Sequence, residues 1–111
     1  MTEQLRKYLN DILYSIELIE DFTKEISDFF AYEKDFKTKS AVERQLGIIG
    51  EAINQIQKKD ESVAISSTRQ MVDFRNRLIH SYDNIDDAIV WVILKKHIPR
   101  LKEEVMRIAE K

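Results

Sequence analysis

Residues 40–59, SAVERQLGIIGEAINQIQKK, decide the fold. Their apolar side chains recur three or four positions apart, which is the spacing of one face of an α-helix; these are Val42, Leu46, Ile49, Ile53 and Ile56. Ser40 and Glu43 have the spacing of a capping box, although Asp35 could cap an earlier start. Lys58 and Lys59 are cations suited to a helix C-terminus. We therefore predict an amphipathic helix that begins between residues 35 and 40 and ends near residue 59.

Similar stripes predict helices on both sides of this segment. A first helix over residues 3–29 is indicated by apolar side chains spaced three, four or seven apart: Leu5, Leu9, Ile12, Ile16, Ile19, Ile26 and Phe30. A third helix is predicted from a cap at Ser66 or Ser67 to about His80, and a fourth from a cap at Asp86 to about His97.

The composition agrees with an all-α antiparallel bundle of four to five helices. The 111 residues include only two glycines and one proline, and turn-rich sheet proteins use both heavily. The proline, Pro99, is expected to kink or restart the fourth helix. There is no cysteine, so disulfides, thiolate metal sites and a cysteine nucleophile are excluded. Since no repeat or linker interrupts the chain, we predict one domain over residues 1–111.

Charge and hydropathy limit the partners of the protein. The net charge is −2, whereas proteins that bind nucleic acid through bulk charge are usually basic. Any action on RNA must therefore come from a local site. The N-terminal residues lack the apolar core of a signal peptide, and no apolar run is long enough to span a bilayer. We expect a cytoplasmic protein with no membrane partner.

Both glycines lie in the middle of the predicted second helix. Glycine there costs about 1 kcal/mol relative to alanine. Either Gly47 and Gly50 allow tight helix–helix packing inside the bundle, or they allow a ligand to approach that face. Glu51 lies about 40° from Gly47 around the helix, outside the apolar stripe.

Arg75 is the second unusual residue. On a helical wheel it falls inside an apolar arc, which consists of Met71, Phe74, Leu78 and Ile79. Asn76 and His80 lie four residues apart on a neighbouring edge, and Tyr82 follows. An arginine on an apolar face must extend to water, pair with a carboxylate or serve a site. Glu51 is the candidate carboxylate.

Residues 75–82, RNRLIHSY, resemble a known family signature. The string is similar to the Arg-x4-6-His motif of HEPN domains, in the RNxLxHxY form that is typical of the HepT-like branch. Residues 41–56 resemble the second helix of HepT-like proteins, including the Ile-Gly-Glu-Ala core at residues 49–52. An apolar fourth helix that contains Trp91 and ends near Pro99 also fits.

This resemblance implies an activity and partners. HEPN proteins of this kind are metal-independent ribonucleases, commonly the toxin half of a toxin–antitoxin pair. They are homodimers in which two copies of the motif meet. The HepT partner is an MntA-like nucleotidyltransferase antitoxin, which silences the toxin by adding AMP to the tyrosine of the motif, here Tyr82. We therefore expect an RNA substrate, a homodimer, no cofactor and no metal.

The motif residues suit this chemistry. RNA carries its own nucleophile, the ribose 2′-OH, so cleavage needs a base near neutral pKa and positive charge beside the phosphate. His80 would accept the 2′-OH proton or protonate the leaving oxygen, and the product would carry a 2′,3′-cyclic phosphate. Arg75 would bind the phosphate, Asn76 would orient the imidazole or bind a phosphate oxygen, and Glu51 would support them. Arg75 and His80 lie about 140° apart on an ideal helix, so a dimer could pair Arg75 of one chain with His80 of the other.

The sequence also allows other roles for these residues and for the protein. His80 could be a helix-end histidine stabilised by the helix dipole, and Tyr82 a residue at the edge of the core. His97 and Trp91 are interpreted as structural. The lysines form a solvated fringe or guide RNA: Lys34, Lys37, Lys39, Lys58 and Lys59. The protein could also be a non-catalytic nucleotide- or substrate-binding companion of a nucleotidyltransferase, or a helical scaffold.

Overall fold

Helices make up most of residues 1–110, which the structure, a computed structural model, describes. They are α1 (Glu3–Thr23), α2 (Phe29–Lys34), α3 (Phe36–Lys59), α4 (Thr68–His80), α5 (Asp87–Val92) and α6 (Ile98–Ala109). A π-helical turn, Ile93–His97, joins α5 to α6 without a break, so these form one helical segment. No strand occurs in this part of the chain, and the predicted all-α bundle is confirmed. None of its helices combines the length and the apolar character needed to cross a bilayer.

The central helix is α3. It packs against α1 on one side and α4 on the other, while α6 covers α1 and α2 lies against α3 and α5. The apolar stripe predicted for α3, from Val42 to Ile56, is completely buried. α4 packs mainly on α3, and several of its other side chains are exposed, among them Asn76 and His80.

Side-chain caps set where several helices begin. Asp35 begins α3 by accepting a hydrogen bond from the amide of Thr38 at 3.0 Å. The predicted capping box at Ser40 is therefore wrong, because α3 begins at Phe36 and the cap is the alternative one. Asp86 caps α5 as predicted, since it accepts from the amide of Ala88 at 2.8 Å.

The first helix is shorter than predicted. It ends at Thr23, and a new helix begins where Asp28 accepts a hydrogen bond from the amide of Ala31 at 2.8 Å. Phe30, which we placed in the apolar stripe of the first helix, is 67% exposed on α2. An aspartate at an N-cap satisfies amides that a continuous helix would otherwise satisfy itself, so the chain can turn here within a periodic apolar pattern.

The winding of the helical segment from α5 to α6 changes just before Pro99, where a kink or restart was expected. The amide of Ile98 donates to the carbonyl of Ile93, five residues earlier, which defines the π turn. Proline has no N–H and its ring clashes with the carbonyl one turn earlier, so a widened turn before Pro99 relieves both problems. The restarted helix, α6, buries Leu101 and Val105 against the core.

Candidate active site

Glycine at position 50 brings α3 and α4 into backbone contact. A Cβ atom on Gly50 would lie 2.6 Å from both the Cβ of Arg75 and the carbonyl oxygen of Met71. A Cβ on Gly47 would lie 3.2 Å from the Cδ1 of Leu78, the end of a flexible side chain. The interpretation of tight helix–helix packing is confirmed for Gly50, whereas Gly47 lines an open groove. One consequence is that the base of the Arg75 side chain lies directly against α3.

The guanidinium of Arg75 is held by a chain of polar contacts between these helices. Its Nη2 contacts Oε2 of Glu51 in an ion pair, as predicted. Its Nη1 donates to Oδ1 of Asn76 at 2.9 Å. Glu51 is held in turn by Gln55, whose Nε2 donates to Oε1 at 2.9 Å. Guanidinium has five N–H donors, so N–H groups remain for an incoming anion.

Gln55 was not identified as a site residue from the sequence. Its spacing of four residues from Glu51 on α3, at which helical side chains meet, could have indicated the contact. Of the two roles expected for Asn76, the structure does not support orientation of the His80 imidazole, and binding of a phosphate oxygen stays a prediction. The side-chain oxygen of Asn76 bonds Arg75, whereas no hydrogen bond joins it to His80 within residues 1–110.

His80 and Tyr82 lie at the exposed C-terminal end of α4. His80 is the last residue of that helix, and its side chain has no hydrogen-bond or ion-pair partner among the described residues. Tyr82 follows in a 3₁₀ turn and is 76% exposed, so it does not lie at the edge of the core. The structure therefore brings Arg75, Asn76 and Glu51 together and leaves His80 and Tyr82 facing outward.

Arg75 also lines an open groove of about 700 Å³ between α1, α3 and α4. Glu51 and Gly47 lie on its α3 side, and Tyr8 contributes from α1. Arg44 lies on the same side of α3, two turns before Glu51. The groove extends away from Arg75, and His80 is not among the residues that line it.

A second polar cluster fixes the segment that follows Tyr82. Lys39 forms an ion pair of 2.8 Å with Asp87, and both side chains are less than one-fifth exposed. Burial raises the pKa of the Glu43 carboxyl, and the charge of Asp87 adds to this effect. The buried hydroxyl of Tyr32 has no hydrogen-bond partner among residues 1–110, and burial raises its pKa. Lys39 is therefore a structural ion-pair partner, and its assignment to the solvated or RNA-guiding fringe is wrong.

His97 and Trp91 have structural surroundings, as we interpreted them. The Nδ1 of His97 lies 3.4 Å from the hydroxyl of Ser67, the residue that precedes α4. Burial lowers the pKa of His97, and Arg100 and Lys96 lower it further. Trp91 packs against Tyr32 with ring centroids 5.7 Å apart. Over residues 1–110, no three histidine or acidic side chains are grouped closely enough to hold a metal ion.

An all-α bundle that carries an Arg-x4-His motif at the end of α4 defines a protein of the HEPN type. Comparison with known families gives the narrower group. Residues 12–108 match the model of the family "Ribonuclease HepT-like", so the chain belongs to that family.

Relatives agree with this assignment. The chain is 37% identical over 111 residues to a Methanocaldococcus jannaschii protein named "Gamma-glutamylcyclotransferase and putative RNase", a match that covers 99% of the chain and 50% of the relative. It is 41% identical over 105 residues to "Probable ribonuclease HepT" of Thermococcus cleftensis, covering 92% and 93% of the two chains. A second M. jannaschii protein, named "Putative RNase", is 37% identical over 102 residues, covering 91% and 93%. The chain thus spans half of the first relative and more than nine-tenths of the other two. No solved structure matches the chain.

Proposed function

We propose that this protein is a metal-independent endoribonuclease and the toxin half of a toxin–antitoxin pair. The observation that carries the proposal is the position of the Arg75 guanidinium, which Glu51 and Asn76 hold at the edge of a groove. His80 is exposed at the end of the same helix. Membership of the HepT-like family supports it, as do the ribonuclease names of the relatives.

The chemistry needs only groups that this chain and RNA possess. His80 takes the proton of a ribose 2′-OH, and the 2′ oxygen attacks the adjacent phosphorus. The bond from phosphorus to the 5′ oxygen of the next nucleotide breaks, and that oxygen receives a proton. The products are a 2′,3′-cyclic phosphate and a free 5′-OH. The remaining N–H donors of Arg75 hold the phosphate oxygens as negative charge grows on them.

We propose that the complete site forms between two copies of the chain. Arg75 points toward α3 and the groove, whereas His80 lies about 140° around α4, and no hydrogen bond joins these two side chains within residues 1–110. In a homodimer, His80 of one protomer can complete the site that contains Arg75 of the other. The outer face of α4 is available for this contact because α4 packs mainly on α3.

We propose that an MntA-like nucleotidyltransferase controls the activity by adding AMP to Tyr82. The hydroxyl of Tyr82 would attack the α-phosphate of ATP and release pyrophosphate. Tyr82 is exposed and follows His80 by two residues. The attached AMP would bring negative charge and bulk to the place where RNA must enter.

The decisive experiment is a cleavage assay on labelled cellular RNA in excess EDTA. Wild type is compared with His80→Ala, and with His97→Gln as the matched control, because these are the two histidines of the chain. Mass spectrometry first establishes that Tyr82 carries no AMP. We expect wild type and His97→Gln to leave 2′,3′-cyclic phosphate ends and His80→Ala to leave RNA intact while retaining its helical circular dichroism.

Two outcomes contradict the proposal. Equal cleavage by His80→Ala would show that His80 is not the base. No cleavage by unmodified wild type, together with nucleotide binding by the free protein, would support the alternative function of a non-catalytic companion of a nucleotidyltransferase.

A further inference from the structure

The groove beside Arg75 has exposed apolar side chains on its walls. Ile48 on α3 is 37% exposed and Ile79 on α4 is 55% exposed, and both line the groove. The half-buried ring of Tyr8 lines the groove from α1. The volume of the groove, about 700 Å³, lies within the range of small-ligand sites. A groove with aromatic and aliphatic walls is suited to a flat, apolar-faced group such as a nucleobase.

The groove is lined by three cations and three carboxylates and is neutral overall, so an anion would be held by a cation that no carboxylate pairs with. The carboxylates are Asp11, Glu51 and Glu43, and burial raises the pKa of the Glu43 carboxyl. Lys7 is paired with Asp11 at 2.8 Å, and Arg75 is paired with Glu51. Arg44 is different, because its side chain is exposed and makes no ion pair with any residue from 1 to 110. Arg44, the cation of the groove that no carboxylate pairs with among residues 1–110, therefore lies at the end of the groove away from Glu51.

The two arginines lie at different points along the groove. Arg44 precedes Glu51, the partner of Arg75, by seven residues on α3, a rise of about 10 Å along the helix. A phosphate at Arg75 and the next one along the strand at Arg44 would place the intervening nucleoside over Ile48 and Tyr8.

We infer that this groove binds one unpaired nucleotide adjacent to the phosphate held by Arg75, with its base against Tyr8, Ile48 and Ile79 and its other phosphate on Arg44. The inference rests on the proposed ribonuclease function, since it takes the phosphate at Arg75 as the one that is cut. It makes the enzyme specific for single-stranded RNA, because a paired base presents only its edge and cannot enter a groove between helices.

Binding is measured separately from cleavage with a single-stranded oligonucleotide that carries 2′-O-methyl groups on every ribose and therefore has no nucleophile. Its affinity is measured by fluorescence anisotropy for wild type, Arg44→Glu and Arg107→Glu. Arg107 is exposed on α6, away from the groove, and its substitution changes the net charge equally. We expect Arg44→Glu to weaken binding about tenfold and to reduce the salt dependence by about one counterion. Arg107→Glu should change affinity less than about twofold, because it contacts no phosphate.

The base is tested with the same oligonucleotide. Replacing one nucleotide at a time by an abasic linker should reveal one position whose loss weakens binding to wild type by about fivefold or more. In Tyr8→Leu, whose fold is checked by circular dichroism, the loss at that position should be smaller. Annealing the complementary strand should abolish the difference between wild type and Arg44→Glu.

Three results overturn the inference: equal effects of Arg44→Glu and Arg107→Glu, equal dependence on Arg44 for single strand and duplex, or no position sensitive to the abasic linker. A change of oligomeric state in Arg44→Glu, seen by sedimentation and without loss of RNA affinity, would assign the groove to a second copy of the chain. The proposed function is tested separately. If the protein binds RNA through Arg44 but cuts no RNA, the ribonuclease proposal is contradicted and the binding groove is not.

Discussion

The backbone of Gly50 lies directly against the first side-chain atom of Arg75, since a Cβ on Gly50 would lie 2.6 Å from the Cβ of Arg75. The residue next to Gly50 is Glu51, which holds the guanidinium of the same arginine. One close approach of two helices therefore sets both the packing of α3 on α4 and the position of the proposed phosphate-binding group.

Gly50→Ala is expected to destabilise the protein. The added methyl group meets the carbonyl oxygen of Met71 as well as Arg75, and overpacking of this kind costs about 1–3 kcal/mol, more than the gain of about 1 kcal/mol from alanine in a helix. Urea unfolding measures the difference. The matched control is Gly47→Ala, whose nearest neighbour is the flexible end of Leu78, so its free energy of unfolding should stay the same or increase. Equal effects of the two substitutions would contradict this account of α3–α4 packing.

Glu51→Gln should lower the turnover of RNA more than the affinity for it. The variant keeps the size of the side chain but removes the charge that holds Arg75, and a misplaced catalytic group reduces rates by about 10- to 100-fold. Steady-state kinetics with separate kcat and KM values measure this effect. Glu17→Gln, at an exposed position of α1, is the same chemical change away from the site. A variant Glu51→Gln with wild-type kcat would show that Glu51 does not position Arg75.

Lys39→Met should destabilise the fold much more than Lys7→Met. Both lysines form ion pairs of 2.8 Å, but Lys39 and Asp87 are mostly buried. Without Lys39, Asp87 stays buried and unpaired near Glu43, and breaking a buried pair in this way lowers the free energy of unfolding by roughly 3 kcal/mol. An exposed pair contributes less than about 1 kcal/mol. Thermal unfolding of the two variants compares them. Similar shifts in Tm would mean that the Lys39 pair is as solvated as the exposed one.

The stability of the protein should fall as the pH drops below 6.5 because of His97. Burial holds the pKa of folded His97 below its ordinary value of 6.5, so the unfolded chain takes up a proton first as the pH falls. The stabilisation is complete above pH 6.5 and is lost on acidification toward the folded pKa. The raised pKa of Glu43 acts with the opposite sign, so His97 is isolated by comparing urea unfolding of wild type and His97→Gln from pH 8 to pH 5. The difference in free energy of unfolding between wild type and His97→Gln should become smaller as the pH falls. A difference that does not change with pH would contradict the prediction.

The sequence was most informative where one signal dominated. The buried stripe of α3 could be predicted because α-helical geometry places these residues on one face by their spacing. Glu51 could be named as a candidate partner of Arg75 because an arginine on an apolar face needs a carboxylate, but the contact itself depends on how α3 packs on α4. The break between α1 and α2 was missed because apolar periodicity continues through it, and only Asp28 marks the new helix. The contacts of Lys39 with Asp87 and of Asn76 with Arg75 could not be predicted, since they depend on tertiary packing and on the rotamers that packing selects.

The π turn carries a consequence for chain length. Buried residues before and after it are Val90, Ile93, Ile98, Leu101 and Val105, with an interval of five residues at the π turn where an unbroken helix would have three or four. If the same residues wound as a regular α-helix, Ile98 and all of α6 would be rotated by about 100°, and Leu101 and Val105 would leave the core. Removing one residue between Ile93 and Ile98 would leave an interval of four, which a regular α-helix keeps on one face, so both side chains would stay buried. The π turn therefore absorbs a one-residue insertion, and a related chain that is one residue shorter here can bury the same α6 face with an unbroken helix.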